Sequence, residues 1–337
     1  MSIRVAINGF GRIGRLAFRR IKELGESTEL EVVAVNDLTN KEDLAYLLKY
    51  DSAHGVFPYT VEMTDIGFVV GDNEVRVFEE KDANNLPWRD LGIDLVIEST
   101  GFYTTKEKAN AHLNAGAKKV MITAPPKDDT KIAVYGVNEE SVSSEDKIIS
   151  AASCTTTALA LVTDVLVKEF GIKRGLMTGS RAYTATQSLQ DSPGGRKNRA
   201  GAQNVIPSTT GAAKALGKVI PEVDGIIDGT STRVPVITAG FAELYLVLDR
   251  DVTIDEINDS MKKAANESLG YTEEEVVSSD IVGTTHGSVF DATLTDVMNA
   301  NGGQLVKIVA WYDNEMGYSH QMVRTAKYFS DVSHEIL

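Results

Sequence analysis

The segment Ile3-Arg4-Val5-Ala6-Ile7-Asn8-Gly9-Phe10-Gly11-Arg12-Ile13-Gly14 decides the fold. Its first six residues read as a buried strand, and the stretch from about Arg12 to Leu24 as a helix. Three glycines in a G-x-G-x-x-G spacing join them. The glycines permit a tight turn and close approach of the backbone to a pyrophosphate. The helix N-terminus then faces the anion. The strand before and the helix after make the motif specific.

A second strand, Glu31–Asn36, ends at Asp37. A carboxylate there accepts from a ribose 2′-hydroxyl and repels a 2′-phosphate, so the expected cofactor is NAD rather than NADP. The same Asp37 is also placed to cap a helix over Lys41–Tyr50. Residues 60–80 alternate around a turn at Gly71-Asp72-Asn73, which predicts an antiparallel insertion. Strands follow at Asp94–Glu98, Lys119–Thr123 and Lys147–Ser150, with a helix over Lys106–Gly116. This alternation predicts an α/β fold: an N-terminal Rossmann-type, doubly wound parallel sheet over residues 1–153.

Cys154 is the only cysteine in 337 residues. The helix expected over Thr155–Phe170 carries Leu159, Val162, Leu166 and Phe170 at helical spacing. Cys154 therefore stands at a strand-to-helix junction, where the helix dipole and free N–H groups favour a thiolate nucleophile. An isolated cysteine is often only a small buried hydrophobe; the hydroxyls of Ser153 and Thr155 beside this one point to chemistry.

Beyond it, Gly175–Thr186 reads as a strand. Gln190–Ala202 reads as a polar loop with Arg196, Lys197 and Arg199. Ile206–Gly211 leads into a helix over Ala212–Leu216, an arrangement that suits either an anion nest or an ordinary cap. Further strands around Thr232–Pro235, Ala242–Leu248 and Leu305–Trp311, with a helix over Ile254–Ser268, predict an α+β catalytic domain over 154–318 with a mostly antiparallel sheet. A last helix at about 319–337 is expected to pack back on the first domain.

A net charge of −14 argues against a general nucleic-acid surface. No apolar run approaches membrane-spanning length, and the first residues lack a signal-peptide pattern. A single cysteine excludes an intramolecular disulfide and suits a reducing compartment, so a cytoplasmic location is expected. Cys154 has no His, Asp or Glu at ligand spacing, and no metal is expected.

Five further segments stand in one order with the glycine motif: Ser153-Cys154-Thr155-Thr156, Ala182-Tyr183-Thr184-Ala185-Thr186-Gln187, Ser208-Thr209-Thr210-Gly211-Ala212-Ala213-Lys214-Ala215, Arg233-Val234-Pro235 and the run Trp311 to Ser319. With them the chain resembles the phosphorylating glyceraldehyde-3-phosphate dehydrogenases from Ile3 to Phe329. The resemblance implies a homotetramer that oxidises D-glyceraldehyde 3-phosphate to 1,3-bisphosphoglycerate in glycolysis, using NAD and inorganic phosphate through a cysteine thioester. It implies that Cys154 is the nucleophile. Ser153, Thr155, Thr210 and Gly211 would hold the attacking phosphate or the substrate, and Thr184, Thr186 and Arg233 the substrate's own phosphate. Gly11, Arg12, Ile13, Asp37, Lys81 (through its backbone) and Thr123 would contact the dinucleotide, Asn314 would orient the nicotinamide carboxamide, and Tyr318 would pack nearby.

The sequence departs from the family where a histidine, the catalytic base, precedes Ala-Tyr-Thr. Here that residue is Arg181, and none of the five histidines lies in the segment. A guanidinium cannot act as a base, though it can stabilise a thiolate and polarise a carbonyl. Thr157 and Ala151 replace the family's usual asparagines, and the loop 193–204 is about three residues short. Two other readings follow: an NAD-binding relative with a regulatory role, and a dehydrogenase for another phosphorylated aldehyde such as erythrose 4-phosphate.

Overall fold

Strand β1 (Ile3–Asn8) is buried along nearly its whole length, as a strand covered on both faces must be. In the computed structural model, which describes residues 2–332, it lies in the middle of an eight-stranded sheet. After it come α1 (Arg12–Leu24), β2 (Leu30–Asn36), α2 (Lys41–Lys49) and the small pair β3 (Tyr50–Asp51) and β4 (Gly55–Val56). Then follow β5 (Val61–Met63), β6 (Gly67–Val70), β7 (Asn73–Phe78), β8 (Leu95–Glu98), α3 (Lys106–Asn114), β9 (Lys119–Ile122) and β10 (Ile148–Ser150). The sheet order is β10-β9-β8-β1-β2-β7-β6-β5. All pairs from β10 to β7 are parallel.

The order reverses beside β1, and there Asn8 stands in register with Asn36 on one side and Glu98 on the other. This is the switch point at which such sheets bind ligands outside their carboxyl ends. The expected antiparallel insertion needs one correction. β7 pairs parallel with β2 and belongs to the main sheet, so only β5 and β6 form the antiparallel extension. The turn between β6 and β7 has Gly71 at φ +61, which glycine adopts without steric cost.

The second unit clusters over Ser153–Gln321, and the described residues after it cluster with the first. It contains α4 (Cys154–Phe170), β11 (Ile172–Ala182), β12 (Ile206–Thr209), α5 (Ala212–Val219), β13 (Ile227–Val234), β14 (Gly240–Leu248) and α6 (Ile254–Ala264). β15 (Leu269–Thr272), α7 (Ser278–Ile281), β16 (Ser288–Asp291), β17 (Asp296–Ala300) and β18 (Gly303–Tyr312) complete it, and α8 (Met316–Asp331) follows. Its sheet runs β12-β13-β11-β14-β18-β16-β15, with β17 on β18. Most pairs are antiparallel; β11–β13 and β15–β16 are parallel. β14 alternates buried and half-buried residues, the signature of a sheet covered on one face. α4 packs on β14, β16 and β18, and buries Leu159, Val162, Leu166 and Phe170.

Residues Ile206–Thr209, read from sequence as a lead into a helix, form strand β12 instead. Their pairing with β13 lies more than twenty residues away in sequence, where local pattern carries no signal. The last helix begins earlier than expected, at Met316, and buries Met322, Val323, Ala326 and Phe329. The 333–337 part of the expected helix lies outside the described residues.

Candidate active site

α4 begins at Cys154 because Ser153 caps it: the Ser153 hydroxyl accepts from the Thr156 N–H at 3.2 Å. Cys154 thus occupies the first helical position. Its Sγ lies 3.9 Å from Thr155 Oγ1, which in turn lies 3.0 Å from the hydroxyl of Tyr312 on β18. Arg181, one residue before the end of β11, donates from Nη1 to Thr155 Oγ1 at 3.5 Å and from Nη2 to Ser231 Oγ at 2.5 Å. Ser231 is braced by Ser208 at 2.9 Å. A short chain of hydroxyls therefore holds the guanidinium beside the cysteine.

The helix N-terminus does not by itself make this cysteine a thiolate. Burial pushes the Cys154 thiol up, while Arg181, then Thr155, then Arg233 pull it down, and the balance stays above an ordinary thiol. Burial likewise lowers Arg233, and the neighbouring Arg181 lowers it further. The two arginines face each other across the parallel β11–β13 pair, in register Arg181↔Arg233. Arg233 donates to the Ala182 carbonyl at 2.8 Å. Among the described residues neither arginine pairs with a carboxylate, so two like charges stand together with no counter-ion from the chain.

They open onto a cavity of ≈ 350 Å³, lined also by Thr186, Gln187, Lys197, Ser208 and Thr209. Two buried donors, Arg181 Nε and Gln187 Nε2, have no hydrogen-bond partner. Buried donors normally find acceptors, so these two N–H groups are available to one from outside the chain. Cationic walls and unused N–H groups specify an anion such as phosphate. Thr184 Oγ1 reaches Thr186 Oγ1 at 2.9 Å and extends this wall.

The structure thus places Thr155, Arg181 and Arg233 about Cys154, and Thr186, with Thr184 hydrogen-bonded to it, on the cavity that the two arginines line. The other residues expected at the anion sites are engaged locally. Ser153 caps α4, the Thr210 hydroxyl accepts from the Ala212 N–H at 3.1 Å, and Gly211 is the N-cap of α5. The Asn314 side-chain oxygen accepts from the Ala239 N–H at 3.0 Å and from the Thr238 hydroxyl at 3.3 Å. That leaves its side-chain N–H₂ as the group available to a ligand. Tyr318 is buried, and burial raises its hydroxyl, with the nearby thiol adding to the effect. Tyr312, Ser231, Ser208 and Gln187 were given no site role from sequence. Strand alternation held one signal: Ser231 lies two residues before Arg233 and shares its face.

In the first unit the three glycines divide their work. A Cβ on Gly9 would lie 2.6 Å from the Thr100 nitrogen, and one on Gly14 would lie 2.2 Å from the Gly9 carbonyl oxygen. A Cβ on Gly11 would meet nothing within 4 Å. The first and third serve the chain's own packing, and the open one is where a ligand's backbone contact belongs. Asp37 accepts from the Phe10 N–H at 2.8 Å, so it holds the glycine turn from the side. It does not cap α2; Asn40 does.

Arg12 forms a two-pronged ion pair with Asp51, which burial raises but Arg12 and the His54 and Ala53 amides hold down at about 2. Ile13 is half-buried, the Lys81 carbonyl accepts from the Tyr103 hydroxyl, and the Thr123 hydroxyl donates to the Glu98 carbonyl. The Ser99 hydroxyl at the same sheet edge is buried without a partner. An open glycine at a helix start and an unused hydroxyl at the switch point fit a dinucleotide.

Residues 3–106 match the family described as glyceraldehyde 3-phosphate dehydrogenase, NAD binding domain, and residues 153–314 match its C-terminal domain. The chain is similar to the glyceraldehyde-3-phosphate dehydrogenase of Clostridium pasteurianum, at 54% identity over 334 residues covering 98% of this chain and 99% of that one. It is 51% identical to that of Lactobacillus delbrueckii subsp. bulgaricus over 98% of this chain and 99% of the relative. It is also 51% identical to that of Streptococcus pyogenes, over 99% of this chain and 100% of the relative.

Proposed function

Because this chain belongs to the glyceraldehyde-3-phosphate dehydrogenase family, we propose that it oxidises D-glyceraldehyde 3-phosphate to 1,3-bisphosphoglycerate with NAD and inorganic phosphate. The observation that carries the reading is the Cys154–Thr155–Arg181 cluster beside a cationic cavity with two unused donors.

Bound NAD supplies the hydride acceptor; Gly11, Arg12, Ile13, Asp37, the Lys81 backbone and Thr123 would hold it, with Asn314 at its carboxamide and Tyr318 nearby. Arg233, Thr184 and Thr186 hold the substrate's phosphate, and Thr155, with Ser153, Thr210 and Gly211, holds the attacking phosphate. Cys154 Sγ adds as a thiolate to the aldehyde carbon, whose oxygen takes the negative charge. Arg181, already beside Thr155, stabilises both that oxygen and the thiolate. Loss of hydride leaves an acyl thioester on Cys154. A phosphate oxygen then attacks the acyl carbon, the C–S bond breaks, and the thiolate is restored. The reaction releases one proton overall. Arg181 keeps its own, so that proton leaves from the hydrogen phosphate to water. We further propose that the chain acts in the cytoplasm as a homotetramer, testable by sedimentation.

The deciding experiment follows phosphate-dependent NAD reduction with glyceraldehyde 3-phosphate in the starting protein, Cys154→Ser and Arg181→His. Turnover in the starting protein and none in Cys154→Ser is expected. Arg181→His should gain rate, up to about 10²-fold, as a general base returns. A starting protein that binds NAD but never turns over would refute the proposal and leave a binding relative.

A further inference from the structure

A buried polar chain runs beneath the glycine turn, and nothing in the chemistry above uses it. Asn8, Asn36 and Glu98 are the last residues of β1, β2 and β8, three neighbouring strands, and stand in register. Asn36 Nδ2 donates to Asn8 Oδ1 at 2.7 Å, and Asn8 Nδ2 donates to Glu98 Oε2 at 2.5 Å. His112 Nε2 approaches the same oxygen at 3.0 Å. The Trp88 indole N–H, which can only donate, meets His112 Nδ1 at 3.1 Å. Nδ1 is thereby the acceptor, and the ring hydrogen sits on Nε2, facing Glu98. The other carboxylate oxygen, Oε1, accepts from the Thr100 N–H at 2.8 Å and from the Thr100 hydroxyl. Glu98 is 1% exposed and His112 is fully buried.

One carboxylate thus binds both walls of the turn. Asn8 leads directly into Gly9, and Thr100 is the residue whose nitrogen a Gly9 Cβ would strike. The Ser99 N–H donates to the Asn8 carbonyl at 2.7 Å, and the Gly9 N–H to the Asn36 carbonyl at 2.8 Å. The backbone alone therefore ties the strand ends, while the side chains of Glu98 and His112 set how tightly Thr100 closes on Gly9. A buried carboxylate with four donors is a costly feature for a sheet edge whose strands are already paired.

We propose that Glu98, with His112 locked behind it, is a positioning residue for the dinucleotide: it fixes the spacing between Gly9 and Thr100 that the cofactor's phosphates meet. This rests on reading the Gly9–Gly14 turn as the dinucleotide site. Glu98→Gln keeps the shape but turns a donor toward other donors, on one side or the other. The chain's own packing is little altered; the turn loosens.

The test is NAD titration by calorimetry on the starting protein, Glu98→Gln and Thr100→Val, with thermal melts and hydrogen exchange of the Gly9 and Thr100 amides. Glu98→Gln should weaken NAD binding about tenfold or more, with faster exchange at both amides far below the melting temperature. Thr100→Val, which removes the hydroxyl that donates to Glu98 and accepts from the Phe102 N–H of the next turn, should weaken it about threefold and decides the matter if Glu98→Gln does not fold. A starting protein that fails to bind NAD would overturn the site reading and the inference with it. A starting protein that binds, beside variants that bind equally and merely melt lower, would overturn the positioning role alone.

Discussion

Cys154 is set by opposed influences: burial raises its thiol, and Arg181 is the largest of the groups that lower it. Removing the cation must therefore move the thiol further up. Arg181→Gln should raise the pH midpoint of iodoacetamide labelling and slow labelling at neutral pH, about tenfold for each pH unit the midpoint climbs. An unchanged midpoint would show that Arg181 does not reach the sulfur. Asp51 carries the opposite case. Its folded value of about 2 lies below the ordinary 3.8, so its pair with Arg12 contributes stability above pH 4 that is lost as pH falls toward 2. Asp51→Asn should flatten this part of the acid-unfolding curve. Cys154, Arg181 and Arg12 stood out in the sequence; Asp51, which only the fold brings to Arg12, did not. Nor did the net direction at Cys154, because a helix terminus is visible in local pattern and the depth of burial is not.

Among the elements, α4 was the most legible, since seventeen residues repeat one apolar spacing and a serine marks the start. That serine carries a measurable share: Ser153→Ala should cost about 1 kcal/mol of stability, read as a fall of a few degrees in melting temperature. The β11–β13 pairing was illegible. It joins segments fifty residues apart, and it is parallel inside a mostly antiparallel sheet. At the end of α8 the Phe329 carbonyl accepts from Lys119 Nζ, and burial lowers that amine to about 8. An amine held below its unfolded 10.5 penalises the folded chain where it is charged. Stability should therefore rise between pH 8 and pH 10.5, and Lys119→Met should abolish the rise in denaturant titrations across that range.

For the molecule as a whole, the first unit could be read almost strand by strand, because doubly wound sheets alternate strands and helices along the chain. In the second, the long strands β11, β14 and β18 were visible in outline, while the short strands β12, β15 and β16 gain their identity from distant partners. The site followed the same division. Cys154, Arg181 and Arg233 stood out one at a time, but only the folded sheet shows two arginines side by side with no carboxylate between them.

Arg181 also stands in register with Gly240 on its other flank. That glycine has no side chain to pack against Arg181, whose guanidinium is held by Thr155 and Ser231. A side chain of another length at 181 would therefore change what meets the Cys154 thiol without displacing a side chain at its β14 neighbour.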